Sequence, residues 1–243
     1  MQKTNQLMNY KIICNEEKLR EFIEWLPDLK PNEHYYVQLL ARKKYNPETG
    51  LKADKAQLKR FTATKEMLFH KIRQLELPLG LYESGGVGVS QDNLAVYITP
   101  NPRDLHKASL LLMREISERL IRNDNAINPH TLSLNLIQTS TSRKVFFDLD
   151  IDFRTGDHQK VIDQFRADIE NVINADCLTF IKTHGGLHCL IKTEAIGKEY
   201  QKSWYQKVSQ LTCDQYEVTM NGDNVLPIAG CIQGIEFSPY FLN

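Results

Sequence analysis

The apolar positions near the start of the chain repeat with the period of an α-helix. Between residues 16 and 26 they fall on one helical face, at Leu19, Phe22, Ile23 and Leu26. Pro27 and Pro31 follow, and prolines end helices. The spacing therefore predicts an amphipathic helix over residues 16–26.

The pattern changes in the next run, HYYVQLLARKKY, which begins with apolar residues that favour strands. We expect a strand that carries Arg42, Lys43 and Lys44 at its end. The basic stretch from Arg42 to Arg73 follows it. We predict this stretch as helix, interrupted near residues 62–64.

Turn-forming residues divide the middle of the chain. Glycine-rich turns between residues 79 and 99 lead into a strand with the sequence NLAVYIT, and residues 108–121 have the period of an amphipathic helix. The Asn-rich stretch RNDNAINPH, at 122–130, is weak in any pattern. We take it as a boundary between an N-terminal α/β module, residues 1–125, and a C-terminal module, residues 126–243.

From Arg143 onward the pattern reads strand, helix, strand, strand, helix, strand, which indicates an α+β fold. Each helix has one apolar face, and the two faces are Val161, Ile162, Phe165, Ile169, Val172 and Ile173, and Tyr200, Trp204, Val208 and Leu211. Tyr200 and Trp204 are expected in the core, not as a platform for stacked bases.

The most informative stretch is KVFFDLDIDF. If it is a strand, Val145, Phe147, Leu149, Ile151 and Phe153 share one face, and Phe146, Asp148, Asp150 and Asp152 share the other. Carboxylates two residues apart on a strand repel, so a stable fold needs something that compensates them. A divalent cation does this, and carboxylate oxygens suit Mg²⁺ or Mn²⁺. The alternative is a sheet edge whose acids lie in water.

A second motif, TFIKTHGGLHCLIKT, places two β-like runs on either side of His184-Gly185-Gly186. It predicts a tight hairpin whose glycines adopt positive φ, with His188 held on the second strand. Backbone N–H groups of Gly185 and Gly186 could approach a triphosphate, with Lys182 and His188 neutralising its charge. A zinc site at His184 and His188 has no cysteine pair to complete it.

A third stretch, CDQYEVTMNGDNVLPIAGCIQG, predicts a strand followed by an NGDN turn. It contains three acids, Asp214, Glu217 and Asp223, of which one could complete a carboxylate triad with Asp148 and Asp150. The pattern alone does not choose among them.

Composition changes the picture in two ways. The 243 residues are 42% hydrophobic, enough for a sizeable core, and the net charge is zero. That neutral average conceals ten Lys or Arg against three acids between Arg42 and Arg73. Such a stretch can hold phosphates, although a solvated, lysine-rich helix face would look the same.

The compartment is inferred from three absences in the sequence. The start, MQKTNQLMNYK, has no apolar signal region, and no run reaches the roughly 18 apolar residues of a membrane span. The five cysteines are scattered singly, without a CxxC pair. We expect a cytoplasmic protein with reduced thiols and no membrane contact.

These motifs, in this order, resemble the archaeo-eukaryotic primase superfamily. FFDLDID is similar to its hhhDhDh strand, and KTHGGLHCLI is similar to its small-residue loop with a nucleotide-binding histidine, here His188. The later strand-borne acid of the family corresponds to Asp214 or Glu217, and less readily to Asp223. LLARKKY and NPRD look like segments of bacterial, phage or CRISPR-associated primase-polymerases.

The resemblance implies an RRM-like catalytic sheet packed against the N-terminal α/β module, with the active site between them. It implies template-directed nucleotide addition by a DNA primase or polymerase that uses two divalent ions, Mg²⁺ or Mn²⁺, held by Asp148, Asp150 and Glu217 or Asp214. Arg103, Arg42, Lys43 and Lys44 would hold a single-stranded DNA template or primer. Any helicase or accessory domain would be a separate chain or a truncated part, and the partners expected are a separate helicase or a CRISPR or mobile-element protein.

Two other functions use the same residues. A metal-dependent nuclease or phosphohydrolase would use the carboxylates with water as the nucleophile. A non-catalytic RRM-like module would bind nucleic acid through exposed sheet aromatics, whereas this strand exposes acids.

Overall fold

The computed structural model describes residues 8–124, 126–154 and 156–242, which form an α+β fold with two five-stranded antiparallel sheets. Within those residues the helices are α1 (Glu16–Trp25), α2 (Lys65–Arg73), α3 (Leu105–Ile121), α4 (Pro129–Thr139), α5 (His158–Glu170) and α6 (Trp204–Val208). The strands are β1 (Glu33–Arg42), β2 (Lys55–Ala63), β3 (Glu83–Ser84), β4 (Val87–Gly88), β5 (Leu94–Ile98), β6 (Arg103–Asp104), β7 (Phe146–Phe153), β8 (Leu178–Lys182), β9 (Gly186–Lys192), β10 (Tyr216–Gly222), β11 (Leu226–Pro227) and β12 (Tyr240–Leu242). No helix among these residues is long and apolar enough to cross a membrane.

Strand β1 is the centre of the first sheet. The order is β11-β5-β1-β2, and β6 pairs with the beginning of β1. Alternate residues of β1, such as Val37 and Leu39, pack in the core that also contains α1 and α2. The residues between them, Gln38, Leu40 and Arg42, therefore face the other side of the sheet.

Helix α1 confirms the first sequence prediction. The side chain of Asn15 accepts a hydrogen bond from the Lys18 backbone N–H and caps the first turn. Leu19 and Phe22 are buried on the inner face. The helix ends at Trp25, two residues before Pro27, because a residue that precedes proline avoids the helical conformation.

The helix predicted for the whole basic stretch is wrong in its first half. Residues 55–63 form strand β2, which pairs along its length with β1, and only 65–73 form a helix, α2. The sequence KAQLKRFTA has good helix formers, but the backbone hydrogen bonds to β1 override that propensity. Lysines on this outer strand also discourage pairing with another chain.

The second sheet follows the predicted sequence of elements from Arg143 onward. Its order is β10-β7-β9-β8-β12. The strands β7 to β10 belong to a strand-helix-strand-strand-helix-strand unit, and in the sheet these four strands lie in the order fourth, first, third, second. Val161 and Phe165 of α5 pack under Leu149 and Ile151 of β7. The second predicted helix is shorter than its apolar spacing suggested: α6 covers only residues 204–208.

The two sheets exchange chain segments. Residues 223–225 lead from β10 into β11, and β11 pairs with β5 of the first sheet. The Asn-rich stretch predicted as a boundary begins directly after α3 and includes the first two residues of α4, and these two helices pack against each other. The C-terminal part of the chain thus completes the sheet of the N-terminal part.

Candidate active site

A cleft of about 540 Å³ lies between the two sheets. One wall comes from the first sheet and the loop after β1, and includes Gln38, Arg42, Lys44, Lys55, Gln57 and Tyr97. The other wall comes from the second sheet and includes Asp150, Asp152, Gly185, Gly186, His188 and Asn221. Cations therefore face acids across the cleft.

The three acids of β7 lie on the cleft side of their strand, as the alternation predicted. Leu149 and Ile151, the residues between them, are fully buried in the helix-covered core. Asp148 is also fully buried, the side chain of Asp150 is 35% exposed, and Asp152 is exposed. The acids therefore run from the interior to the open cleft.

His188 supplies positive charge to these acids. Strand β9 pairs it directly with Asp150, and its Nδ1 lies 2.8 Å from Asp148 Oδ1 while its Nε2 lies 3.6 Å from Asp150 Oδ1. Burial alone would lower the pKa of His188, but the charge and hydrogen bond of Asp148, with the charges of Asp150 and Asp152, raise it to about 9. The imidazolium of His188 thus compensates part of the repulsion among the carboxylates. The sequence analysis expected a divalent cation to provide that compensation.

Repulsion is still present at Asp150. Burial raises the pKa of this carboxyl, the His188 charge acts in the opposite direction, and Asp152 and Asp148 raise it further. A carboxylate that is partly open and still destabilised in its charged form favours a nearby cation.

The predicted hairpin is present between β8 and β9, but its glycines serve a different purpose. Neither Gly185 nor Gly186 has a positive φ. A Cβ added at Gly186 would lie 2.1 Å from the carbonyl oxygen of Ile151, so glycine is needed for close approach to β7. The Gly186 N–H donates to Thr183 Oγ1, whereas Gly185 is exposed to the cleft.

Lys182 lies away from the position predicted for it. It pairs with Leu187, a core residue, and its side chain is on the face of the sheet opposite the acids. Its ammonium donates to the carbonyl oxygens of Thr183 at 2.6 Å and Gly186 at 3.1 Å. Burial lowers the pKa of Lys182. The side chain stabilises the hairpin and is not part of the cleft wall.

The proposed third acids have other partners. Glu217 pairs across the strands with Asp152, but its Oε2 accepts a hydrogen bond from Arg154 at 2.9 Å in an exposed ion pair. Asp214 is exposed in the bend before β10. The structure does not bring either carboxylate to Asp148.

Arg103 and Asp223 bind each other. Both oxygens of Asp223 accept hydrogen bonds of 2.8 Å from the Arg103 guanidinium, and Thr141 and Asn101 also contact this carboxylate. Arg103 is 1% exposed. Arg103 was expected to hold a template or primer; in the structure its guanidinium is buried and engaged by Asp223, and it joins the two sheets from inside the protein.

The three basic residues at the end of β1 and just after it have different surroundings. Arg42 is 8% exposed, and its guanidinium donates to the Tyr97 hydroxyl at 3.0 Å and to Asp54 at 3.2 Å. Lys44 is largely exposed and faces Asp150 and Asp152. The partial desolvation of its ammonium and the charge of Arg42 lower its pKa, and the two acids act in the opposite direction. Lys43 does not line the cleft.

The sequence reasoning missed several residues of the cleft. Gln38 and Gln57 lie on adjacent strands, and Gln57 Nε2 donates to Gln38 Oε1 at 3.3 Å. Lys55 is brought beside Arg42 by the pairing of β2 with β1. The alternation of β1 was a usable signal for Gln38, whereas β2 gave none once it was taken as helix.

No family model, curated protein or solved structure matches this chain. In the described part of the chain, no three His, Cys, Asp or Glu side chains stand together as a formed metal site.

Proposed function

We propose that this protein is a metal-dependent nucleotidyltransferase that adds nucleotides to a primer or starting nucleotide on a single-stranded DNA template. The observation that carries the proposal is the cleft itself. Asp150 and Asp152, beside the buried Asp148, face Arg42, Lys44 and Lys55 across a space of about 540 Å³. Such an arrangement suits a substrate that is a polyanion with bound cations.

The residues fit a divalent ion. Asp148 and Asp150 would hold it, because both offer hard carboxylate oxygens beside one histidine, and Mg²⁺ or Mn²⁺ prefers such oxygens. When bound, the ion would lower the pKa of an attacking hydroxyl and neutralise charge on the phosphates. The pKa of His188, which these acids raise, supports this assignment, because it reflects a preference of the carboxylates for a nearby positive charge.

The chain's own cations would bind the rest of the substrate. Lys44 and Lys55 line the wall opposite the acids, where phosphate groups that reach the acids must pass. Arg42 is held in place by Tyr97 and Asp54, so it would stabilise negative charge without reordering. His188, oriented by Asp148, would contact the incoming triphosphate.

The strand order of the second sheet supports the resemblance to archaeo-eukaryotic primases. The order fourth, first, third, second is that of an RRM-like sheet, and its acids point at a cleft shared with the N-terminal sheet. In this proposal the whole chain is one catalytic core. A helicase, CRISPR or mobile-element protein would act with it as a separate partner.

The decisive experiment is incorporation of labelled NTPs or dNTPs on a single-stranded template, with and without a primer, in Mn²⁺ or Mg²⁺. We expect products that grow with wild-type protein and are abolished by Asp150→Asn. Glu217→Gln is the matched control, because this acid lies on the neighbouring strand but is paired with Arg154. Shortening of the DNA would instead indicate a nuclease, and metal-independent binding without turnover would indicate a binding module.

A further inference from the structure

Strand β10 contains a bulge next to the acids. The two strands are antiparallel, and Met220 pairs with Leu149. The preceding residue of β7, Asp148, pairs with Gly222, so Asn221 is the extra residue. Bulges of this kind redirect a side chain and are common beside active sites. Gly222 adopts φ +66°, which glycine tolerates, and Asn221 lines the cleft. Its Nδ2 lies 3.5 Å from Asp148 Oδ2.

Asp148 has unused capacity to bind. It is fully buried, and among the described residues its short hydrogen bond joins Oδ1 to His188 at 2.8 Å. The 3.5 Å contact from Asn221 to Oδ2 is longer than an ordinary hydrogen bond. A carboxylate has about four acceptor positions, so one with a short contact at Oδ1 and a long contact at Oδ2 keeps lone pairs that a cation can take.

A third carboxylate is lacking beside Asp148 and Asp150 on this part of β10. Glu217 is paired with Arg154, and Asp223 with Arg103. Between Glu217 and Asp223 the strand carries only uncharged side chains, of which Asn221 reaches Asp148.

We propose that Asn221 provides the third protein oxygen for the divalent ion, in the place where a carboxylate was expected. A half-turn of its amide exchanges Nδ2 for Oδ1, and amide oxygens are ordinary ligands of hard cations. This inference rests on the proposed function, because it assigns a role toward the same ion. It goes further in predicting a site with two carboxylates and one neutral ligand.

The test is binding of Mn²⁺ alone to the full chain, measured by electron paramagnetic resonance. We expect Asn221→Ala to weaken Mn²⁺ binding at least about tenfold, since even outer-shell partners of a metal cost about 10- to 100-fold when removed. Asn221→Asp should bind as tightly as wild type or more tightly, because it keeps the oxygen and adds charge. Glu217→Gln should stay within about twofold of wild type, because Glu217 is paired with Arg154 and is not an outer-shell partner of the ion.

Three outcomes would overturn the inference: Mn²⁺ binding unchanged in Asn221→Ala, weakened in Asn221→Asp, or weakened tenfold in Glu217→Gln. Circular dichroism identifies a variant that fails to fold, and if Asn221→Ala fails, Asn221→Asp decides. If Asp150→Asn binds Mn²⁺ like wild type, both this inference and the proposed site are wrong. If binding depends on Asn221 but no nucleotide is incorporated, the inference stands and the proposed function is wrong.

Discussion

Replacing Arg103 with methionine should strongly destabilise the protein. The Arg103 side chain is 2% exposed and that of Asp223 is 14% exposed, so the pair is nearly shielded from water. Burial alone would raise the pKa of Asp223, yet the hydrogen bonds and charge of Arg103, with Thr141 and Asn101, lower it. Arg103→Met would leave a buried carboxylate without its counter-charge.

Removing one partner of a buried pair costs about 3 to 5 kcal/mol. We expect the lower end of that range, because Thr141 and Asn101 would still donate to Asp223. The assay is urea unfolding at neutral pH. Arg154→Met is the matched control: it breaks an exposed pair with Glu217, whose side chains are 45% and 55% exposed, and should cost at most about 1 kcal/mol.

Adding Asp223→Asn to Arg103→Met should recover part of the lost stability, because the uncompensated charge is then removed. Equal stabilities for Arg103→Met and Arg154→Met would refute the reasoning. So would a double variant whose loss is the sum of the two single losses.

Two further predictions concern the cleft. His188 has a raised folded-state pKa, so without divalent ions its stabilisation should be complete below about pH 6.5 and lost as the pH rises through about 9. Urea unfolding should show a decrease of up to about 3 kcal/mol over that window, and His188→Gln should abolish this dependence. Replacing Lys44 and Lys55 with alanine should reduce the log–log salt slope of single-stranded DNA binding by roughly 1.4. Lys59→Ala, on the other face of β2, should leave the slope unchanged, and a smaller slope there would contradict the assignment.

The sequence alone was sufficient to predict an element and its buried face where the determining interactions are local. The alternation in FFDLDIDF predicted which residues of β7 are buried and which face the cleft, and the structure confirms it. The helix over residues 16–26 and the position of the hairpin before His188 were also predicted, although the hairpin glycines do not adopt the positive φ expected of them. In each case the signal is the period of side chains along one element, and that period follows from backbone geometry.

Only the tertiary structure decided which residues meet. Residues 55–63 became a strand because β1 offers hydrogen bonds, although their own propensity favours helix. Lys182 turned away from the acids because it shares a face with Leu187. Arg103 paired with Asp223, 120 positions later in the chain, and Asn221 reached Asp148 through a bulge.

These pairings depend on strand register, on the packing of two sheets and on competition among charged groups for partners. A sequence lists the acids and bases that can pair. Folding selects the pairs, because each buried charge must find a partner among the groups that packing brings within a few ångströms.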